Sequence, residues 1–395
     1  MSRLEDLIQQ HCPDGVEYKK IKEVYQRIKG TPITAGKMKE IQSPTGEIRI
    51  FAGGKTVIDA NECDIPNANI TRVPAVLVQS RGVIDAIYYD KPFTFKNEMW
   101  AYTHKEQTSV KFLYYVMKQN IQHFRDAASG MGALPQISLG TTEDFVIPIP
   151  PLPVQEEIVR ILDNFAELQA ELQAELQKRL QQYNYYRDKL LTFNDLNGGG
   201  YAVSVEWKKL GEIGKVCMCK RILKDQTSST GDIPFFKIGT FGGSADAYIS
   251  KELFDEYVKK YSYPKKGDIL ISAAGTIGRT VVFDGNPSYF QDSNIVWLKH
   301  DESVVLNSYL RYIYSLNPWA ISTGGTIARL YNDNILNAVI PVPPLEEQQR
   351  IVDILDRFDK LTTDITSGLP AEIEARRKQY EYYRDQLLTF KQKAS

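Results

Sequence analysis

Apolar residues recur at Ile158, Ile161, Phe165, Leu168 and Leu172 in alternating steps of three and four, and again at Ile351, Ile354, Phe358, Leu361 and Ile365. That spacing is a heptad seam, so each segment is expected to be a helix with one apolar stripe for a partner helix. Helical from Gln155 to Phe193, the first would run roughly 58 Å at 1.5 Å per residue. A lone helix cannot cover its own stripe, and the simplest partner is the other copy, packed antiparallel. Elsewhere the pattern shortens. Runs such as 75–78, 269–271 and 280–283 are rich in β-formers and alternate with Gly- and Pro-containing turns. One helix is expected near Val110–His123 and a counterpart near Leu306–Tyr314.

The two seams belong to a repeat. Residues 147–165 read IPIPPLPVQEEIVRILDNF and residues 340–358 read IPVPPLEEQQRIVDILDRF, at an offset of 193. YNYYRDKLLTF at 183–193 and YEYYRDQLLTF at 380–390 follow at an offset of 197, identical in nine of eleven positions. Val16–Ile21 against Val205–Leu210, and Thr45–Ile48 against Thr230–Ile233, are fainter echoes. With two units a solenoid is excluded. The fold class expected is mixed α/β: two domains with small twisted sheets, separated by two long antiparallel helices forming a coiled coil, a tandem duplication with pseudo-twofold symmetry.

Each seam is entered through Pro148-Ile149-Pro150-Pro151 or Pro341-Val342-Pro343-Pro344, which cannot be helical. Acidic or amide residues follow (Gln155, Glu156, Glu157; Glu346, Glu347, Gln348), suited to the positive end of a starting helix. Ala-Glu-Leu-Gln then occurs three times over 166–177. The second copy has four more residues in this interval, including Gly368 and Pro370, which should kink or interrupt it. A helix edited in whole turns behaves as a ruler. Two recognition units held at a set separation suit a split DNA site, because duplex DNA advances ~3.4 Å per base pair.

This order of blocks, the Ile-Pro-x-Pro-Pro-Leu lead-in, the Ala-Glu-Leu-Gln repeats and the Tyr-Tyr-Arg-Asp-x-Leu-Leu-Thr-Phe exit resemble the specificity (S) subunit of type I restriction-modification systems. The shared helices carry most of the likeness; the variable blocks match in outline, through Gly275-Thr276-Ile277-Gly278 and Ser322-Thr323-Gly324-Gly325-Thr326. The resemblance implies a first target-recognition domain at 1–147, a first helical spacer at 148–200, a second recognition domain at 201–340 and a second spacer at 341–395. It implies that each domain reads one half of a bipartite, asymmetric site in double-stranded DNA. The helices would dock two adenine methyltransferase subunits, and motor-nuclease subunits would join the full complex. S-adenosylmethionine, ATP and Mg would sit on those partners, with no cofactor on this chain. Tyr186, Arg187, Tyr383 and Arg384 are then candidates for partner contact.

Composition sharpens this. A formal charge of −1 gives no bulk attraction for a polyanion, so DNA contact must come from local clusters. Residues 16–40 hold seven Lys/Arg against three acids, and 206–224 hold six against two. Lys29, Lys37, Lys220 and Arg221 are the candidates there. Among glycine-flanked polar loops, where the backbone can approach a groove closely, Gln79, Arg81, Ser272, Thr276, Arg279, Thr326 and Arg329 are singled out for base or phosphate contact. Each of these residues also has a plainer reading, as a turn residue or a surface charge. No apolar run reaches 18 residues and no basic-apolar leader opens the chain, so a soluble cytoplasmic protein is expected.

Enzyme signatures are incomplete. Gly30–Met38 is similar to a phosphate-binding loop but has five residues between its glycines and Met38 where a metal-binding hydroxyl is needed. Pro13-Asp14 with Glu17-Tyr18-Lys19 is similar to a nuclease site, yet the second copy keeps Glu206-Trp207-Lys208 without the Pro-Asp. Asn317-Pro318-Trp319 lacks the second proline of an amine-binding methyltransferase motif, and Cys217-x-Cys219 has no further ligands for a metal. The Tyr-rich helix exits pack between helices or against a partner more readily than they stack bases. A non-catalytic recognition subunit is expected. The competing reading is a coiled-coil scaffold whose variable domains bind proteins.

Overall fold

The computed structural model describes residues 3–54, 56–129, 134–193, 204–320, 329–364 and 366–393. Two compact units emerge: residues 1–173 with 372–395, and residues 174–371.

The first unit contains β1 (Glu17–Lys20), β2 (Gln26–Ile28), β3 (Ile48–Phe51), β4 (Val57–Ala60), β5 (Ala75–Gln79), β6 (Asp85–Tyr89), β7 (Phe93–Phe95), β8 (Trp100–Thr103) and β9 (Val146–Ile149). Its helices are α1 (Arg3–His11), α2 (Ile21–Val24), α3 (Ala35–Ile41), α4 (Gln107–Gln119), α5 (Ile121–Asp126), α6 (Leu139–Glu143) and the first part of α7 (Leu152–Thr192). The strands form an antiparallel sheet β2-β8-β5-β6, a sheet β4-β3-β7 whose β3 and β7 run parallel, and the pair β1-β9. β5 is buried at every position, as its unbroken apolar run Ala75–Val78 requires of a central strand. Val110, Leu113 and Met117 of α4 share one core with Val76 and Val78 of this sheet.

The second unit repeats this strand for strand. β10 (Glu206–Lys209), β11 (Lys215–Cys217), β12 (Ile233–Phe236), β13 (Tyr248–Ile249), β14 (Ile269–Ser272), β15 (Thr280–Val282), β16 (Tyr289–Phe290), β17 (Ile295–Lys299) and β18 (Val339–Val342) follow in the same order. They build β11-β17-β14-β15, β13-β12-β16 with β12 and β16 parallel, and β10-β18. The helices α8 (Leu210–Ile213), α10 (Asn307–Ser315) and α11 (Asn332–Leu336) answer α2, α4 and α6, while α9 (Lys251–Lys260) lies in a stretch where the first unit has a single 3-10 turn at Glu62–Asp64. The duplication legible in the helices therefore extends through both variable blocks.

The first repeated helix, α7, is continuous and begins three residues before the expected Gln155, with Pro153 in its first turn, where proline is tolerated. The second is two helices, α12 (Leu345–Thr363) and α13 (Leu369–Leu387). The expected interruption is built by Asp364, whose carboxylate accepts from the Thr366 backbone N–H (2.7 Å) and the Thr366 and Ser367 hydroxyls (2.6 and 2.5 Å). Gly368 fits beneath, where a Cβ would lie 2.5 Å from the Lys360 carbonyl oxygen.

Within the first unit, Val154, Ile158 and Leu162 of α7 join the core that holds Leu387 and Leu388, and Phe165 lies against Tyr380 and Tyr383. Rising numbers meet falling ones, so the helices run antiparallel there. Within the second unit, Ile351, Val352 and Leu355 of α12 share a core with Leu191 of α7, and Phe358 lies against Tyr183 and Tyr186.

Candidate nucleic-acid interface

In the first unit a set of loops is tied together beyond the end of β5. The Ile137 N–H donates to the Ser80 carbonyl (2.9 Å) and the Gly82 N–H to the Pro135 carbonyl (2.8 Å). Ser129 and Gln136 exchange backbone bonds of 3.0 and 3.1 Å, and Gln136 also bridges Arg81. Gln79 donates from Nε2 to the Gly54 carbonyl (2.6 Å), and the Gly54 N–H reaches the Arg81 carbonyl (3.3 Å). Gly82 has φ +80° and its absent Cβ would lie 3.5 Å from the Gly54 Cα, so the two loops meet through glycines. Arg81 and Gln136 stand exposed on this braced backbone.

The second unit places the matching loops beyond β14. Leu330 donates to the Ala273 carbonyl (2.9 Å), which repeats Ile137 to Ser80 at the offset of 193 in both partners. The Ser272 hydroxyl donates to the Thr276 carbonyl and lies 3.3 Å from that of Arg279. Arg279 donates to the Gly242 carbonyl (3.1 Å), Arg329 to the Ser293 carbonyl (2.8 Å), and Arg221 to the Asp292 carboxylate (2.9 Å). Ala273 in turn donates to Asn294 (2.7 Å), so Arg221, Arg279 and Arg329 are tied to one connected set of loops.

Other sequence candidates are placed differently. Gln79 and Ser272 are buried and turned to backbone carbonyls, because each ends a covered central strand. They brace the loops rather than face a groove, which corrects their expected role as groove contacts. Thr276 is exposed beside Gly275. Lys29 is exposed, away from those loops' hydrogen bonds, and its carbonyl accepts from Asn69 (2.6 Å). Lys37 pairs with Glu40 at 2.8 Å, and Lys220 lies 5.2 Å over the Tyr261 ring. Thr326 and Ile365 lie outside the described residues.

Along the helices, burial is complete at Ile158 and Ile351 and partial at Ile161, Phe165, Leu168, Leu172, Ile354 and Phe358. Leu361 is exposed, since α12 stops two residues later and the seam ends with it. Leu162 and Leu355, outside the expected seam, are fully buried because the helix starts face their own domains as well as a second helix. Tyr186 and Tyr383 keep exposed edges; Arg187 and Arg384 pair with their neighbours Asp188 and Asp385 at 2.7 and 2.8 Å.

Two duplicated contacts escaped sequence reasoning. Gln155, buried, donates to the Pro150 carbonyl (2.7 Å) and accepts from Ser109 (2.8 Å). Gln348 donates to Pro343 (2.8 Å) and Val304 (2.9 Å) and accepts from the Leu306 N–H (2.9 Å). Asp163 accepts from Tyr115 (2.5 Å) and Lys111 (2.7 Å), while Asp356 accepts from Tyr312 (2.5 Å). Burial and the adjacent carboxylate push both tyrosines well above the usual phenol range. Both pairs sit at the 193 offset, so the signal was present in the repeat, but the partners lie in the variable blocks.

Two of the enzyme-like motifs resolve into packing. A Cβ on Gly30 would lie 2.0 Å from the Phe95 carbonyl oxygen, and Thr34 caps α3. Cys219 is buried, which pushes its thiol up to about 12. Among the described residues no His/Cys/Asp/Glu group is arranged to hold a metal, and no helix is long and apolar enough to cross a membrane.

Two loop-bearing domains of one fold, each seated on the start of one repeated helix and the end of the other, define a duplicated recognition protein. The model of the type I restriction modification DNA specificity domain matches residues 13–182 and 203–375, and the chain belongs to that family. It is 54% identical over 308 residues to a Haemophilus influenzae protein provisionally named a type I restriction enzyme specificity subunit, covering 74% of this chain and 77% of that one. It is 36% identical over 305 residues to the Escherichia coli EcoR124I/EcoR124II specificity subunit, covering 72% of each. Among solved structures, the S subunit of a type I restriction-modification system from M. genitalium shares the fold at TM-score 0.54 and 16% identity, over 94% of this chain and 95% of that one. A chain from a study of assembly and conformational transition in the type I R-M system does so at TM-score 0.55 and 16% identity, over 95% and 97%.

Proposed function

We propose that this specificity subunit reads a bipartite, asymmetric DNA site, one half with each loop-bearing domain, and that its repeated helices set the gap between the halves and dock two adenine methyltransferase subunits. The observation that carries the reading is the strand-for-strand duplication of one frame with unlike side chains on its loops. One frame used twice presents two readers, and unlike loops make the two half-sites differ. Affinity for the phosphate backbone then comes from local cations such as Lys29, Lys220 and Arg221 and from the partner subunits, since the chain as a whole carries a charge of −1. S-adenosylmethionine, ATP and Mg act on the methyltransferase and motor-nuclease partners, and this chain contributes sequence choice without chemistry of its own.

The test is to co-purify the chain with its methyltransferase partner and map the adenines modified in a DNA library. Exchanging residues 14–147 for the corresponding block of another family member should change one half-site only; a change in both halves refutes independent reading. Removing one Ala-Glu-Leu-Gln unit should change the gap, and an unchanged gap removes the spacing role.

A further inference from the structure

We infer that position 136, together with its repeat partner 329, is a base-reading, specificity-determining position: Gln136 reads an adenine in one half-site and Arg329 a guanine in the other. This rests on the split-site reading above and names residues within it.

Three observations carry it. First, the two residues are equivalent in the fold, not only in number. Each immediately precedes the residue, Ile137 or Leu330, whose N–H bonds to the loop leaving the central strand, and each lies three residues before a short helix, α6 or α11. Second, Gln136 has a committed backbone and an uncommitted side chain. Its N–H and C=O are both bonded to Ser129, and its amide is exposed with no hydrogen bond to a described residue. A reader held this way loses little further backbone freedom on binding. Third, Arg81 bridges the same residue and is also exposed, so a cation stands beside the amide to meet a phosphate or a second base. In the second unit the position matching Arg81 is Ala274, and the cation is Arg329 itself.

The chemistry then differs between frames. A glutamine amide pairs with the N6 and N7 of adenine, and a guanidinium with the O6 and N7 of guanine. Arg329 spends one bond on the Ser293 carbonyl (2.8 Å), and a guanidinium has five N–H donors.

The experiment maps modified sites for the assembled complex with its methyltransferase partner, using a randomised double-stranded DNA pool. For Gln136→Ala, discrimination at one position of one half-site should fall about 5- to 150-fold, with the other half and the gap unchanged. For Gln136→Arg that position should shift from adenine towards guanine, and Arg329→Gln should make the reciprocal shift in the other half. Thermal midpoints within a degree or two of the parent establish that the variants fold. An unchanged motif, or binding weakened equally for all sequences, overturns the assignment while leaving split-site reading intact. A parent complex that modifies no split site overturns both.

Discussion

Phe165 stacks on Tyr383 with ring centroids 5.5 Å apart and planes inclined by 24°, and its repeat partner Phe358 stacks on Tyr186 at 6.0 Å and 26°. Tyr186 and Tyr383 are themselves repeat partners, 197 residues apart. In each unit, therefore, the start of one repeated helix meets the end of the other, and neither copy closes its own aromatic contact. Removing either ring of a pair should lose the same interaction. A double-mutant cycle with Phe165→Ala and Tyr383→Ala is expected to return a coupling of about 0.5–1.5 kcal/mol in denaturant unfolding. Additive effects would show that the stack contributes nothing beyond burial.

Gln348 holds three backbone groups at the entrance to α12, whereas its neighbour Gln349 is exposed and its side chain reaches Asp353 (2.8 Å), on the helix's own surface. Gln348→Leu leaves the Leu306 N–H and two carbonyls without partners, at about 1–3 kcal/mol for each group that water cannot reach. Gln349→Leu should stay within about 0.5 kcal/mol of the parent. The shift in denaturant midpoint compares them directly.

Gly30 and Gly36 flank the loop that imitates a phosphate site, and the structure separates their roles. Gly30→Ala drives a Cβ against the Phe95 carbonyl and should cost about 1–3 kcal/mol. Gly36 lies in α3 with only the Thr34 hydroxyl near, at 4.0 Å, so Gly36→Ala should stabilise by about 0.5–1 kcal/mol. Thermal unfolding gives the signs; equal losses at both would contradict the packing explanation.

Alkaline stability should follow the buried tyrosines. Burial pushes Tyr102 up to about 12, from an ordinary value of about 10, and its hydroxyl shares a 2.7 Å bond with Thr142. The folded state disfavours the phenolate, so this contribution is complete below pH 10 and is lost as pH rises through about 12. Tyr183 and Tyr380, also pushed up to about 12 by burial, add to the same window. Unfolding free energy is expected to fall steeply there, and Tyr102→Phe should make the fall shallower. An unchanged slope would remove Tyr102 from the account.

Much of the frame could be read in advance because helix signals are local. The three-four spacing from Ile158 onward, the prolines before it and Gly368 with Pro370 near the break act through neighbouring residues, and α7, α12 and α13 form where those signals stand. The strand-level repeat of the variable blocks was hidden. β5 and β14 keep burial and little else in common, with Leu77 and Leu270 the one identical pair at the 193 offset, and burial is satisfied equally well by many apolar sequences.

By itself the chain's sequence determined that there are two copies, that each ends in helices with an apolar stripe, and that the second copy breaks. Periodicity and proline act within a few residues, and a repeat announces itself. Tertiary structure alone decided which polar side chains are free. Gln79 closes β5 and Arg81 stands two residues on, in the loop that follows, yet the first is spent on the Gly54 carbonyl, 25 residues away, and the second is exposed beside Gln136. Exposure of a loop side chain is settled by distant backbone that folds over it, and no local pattern records that.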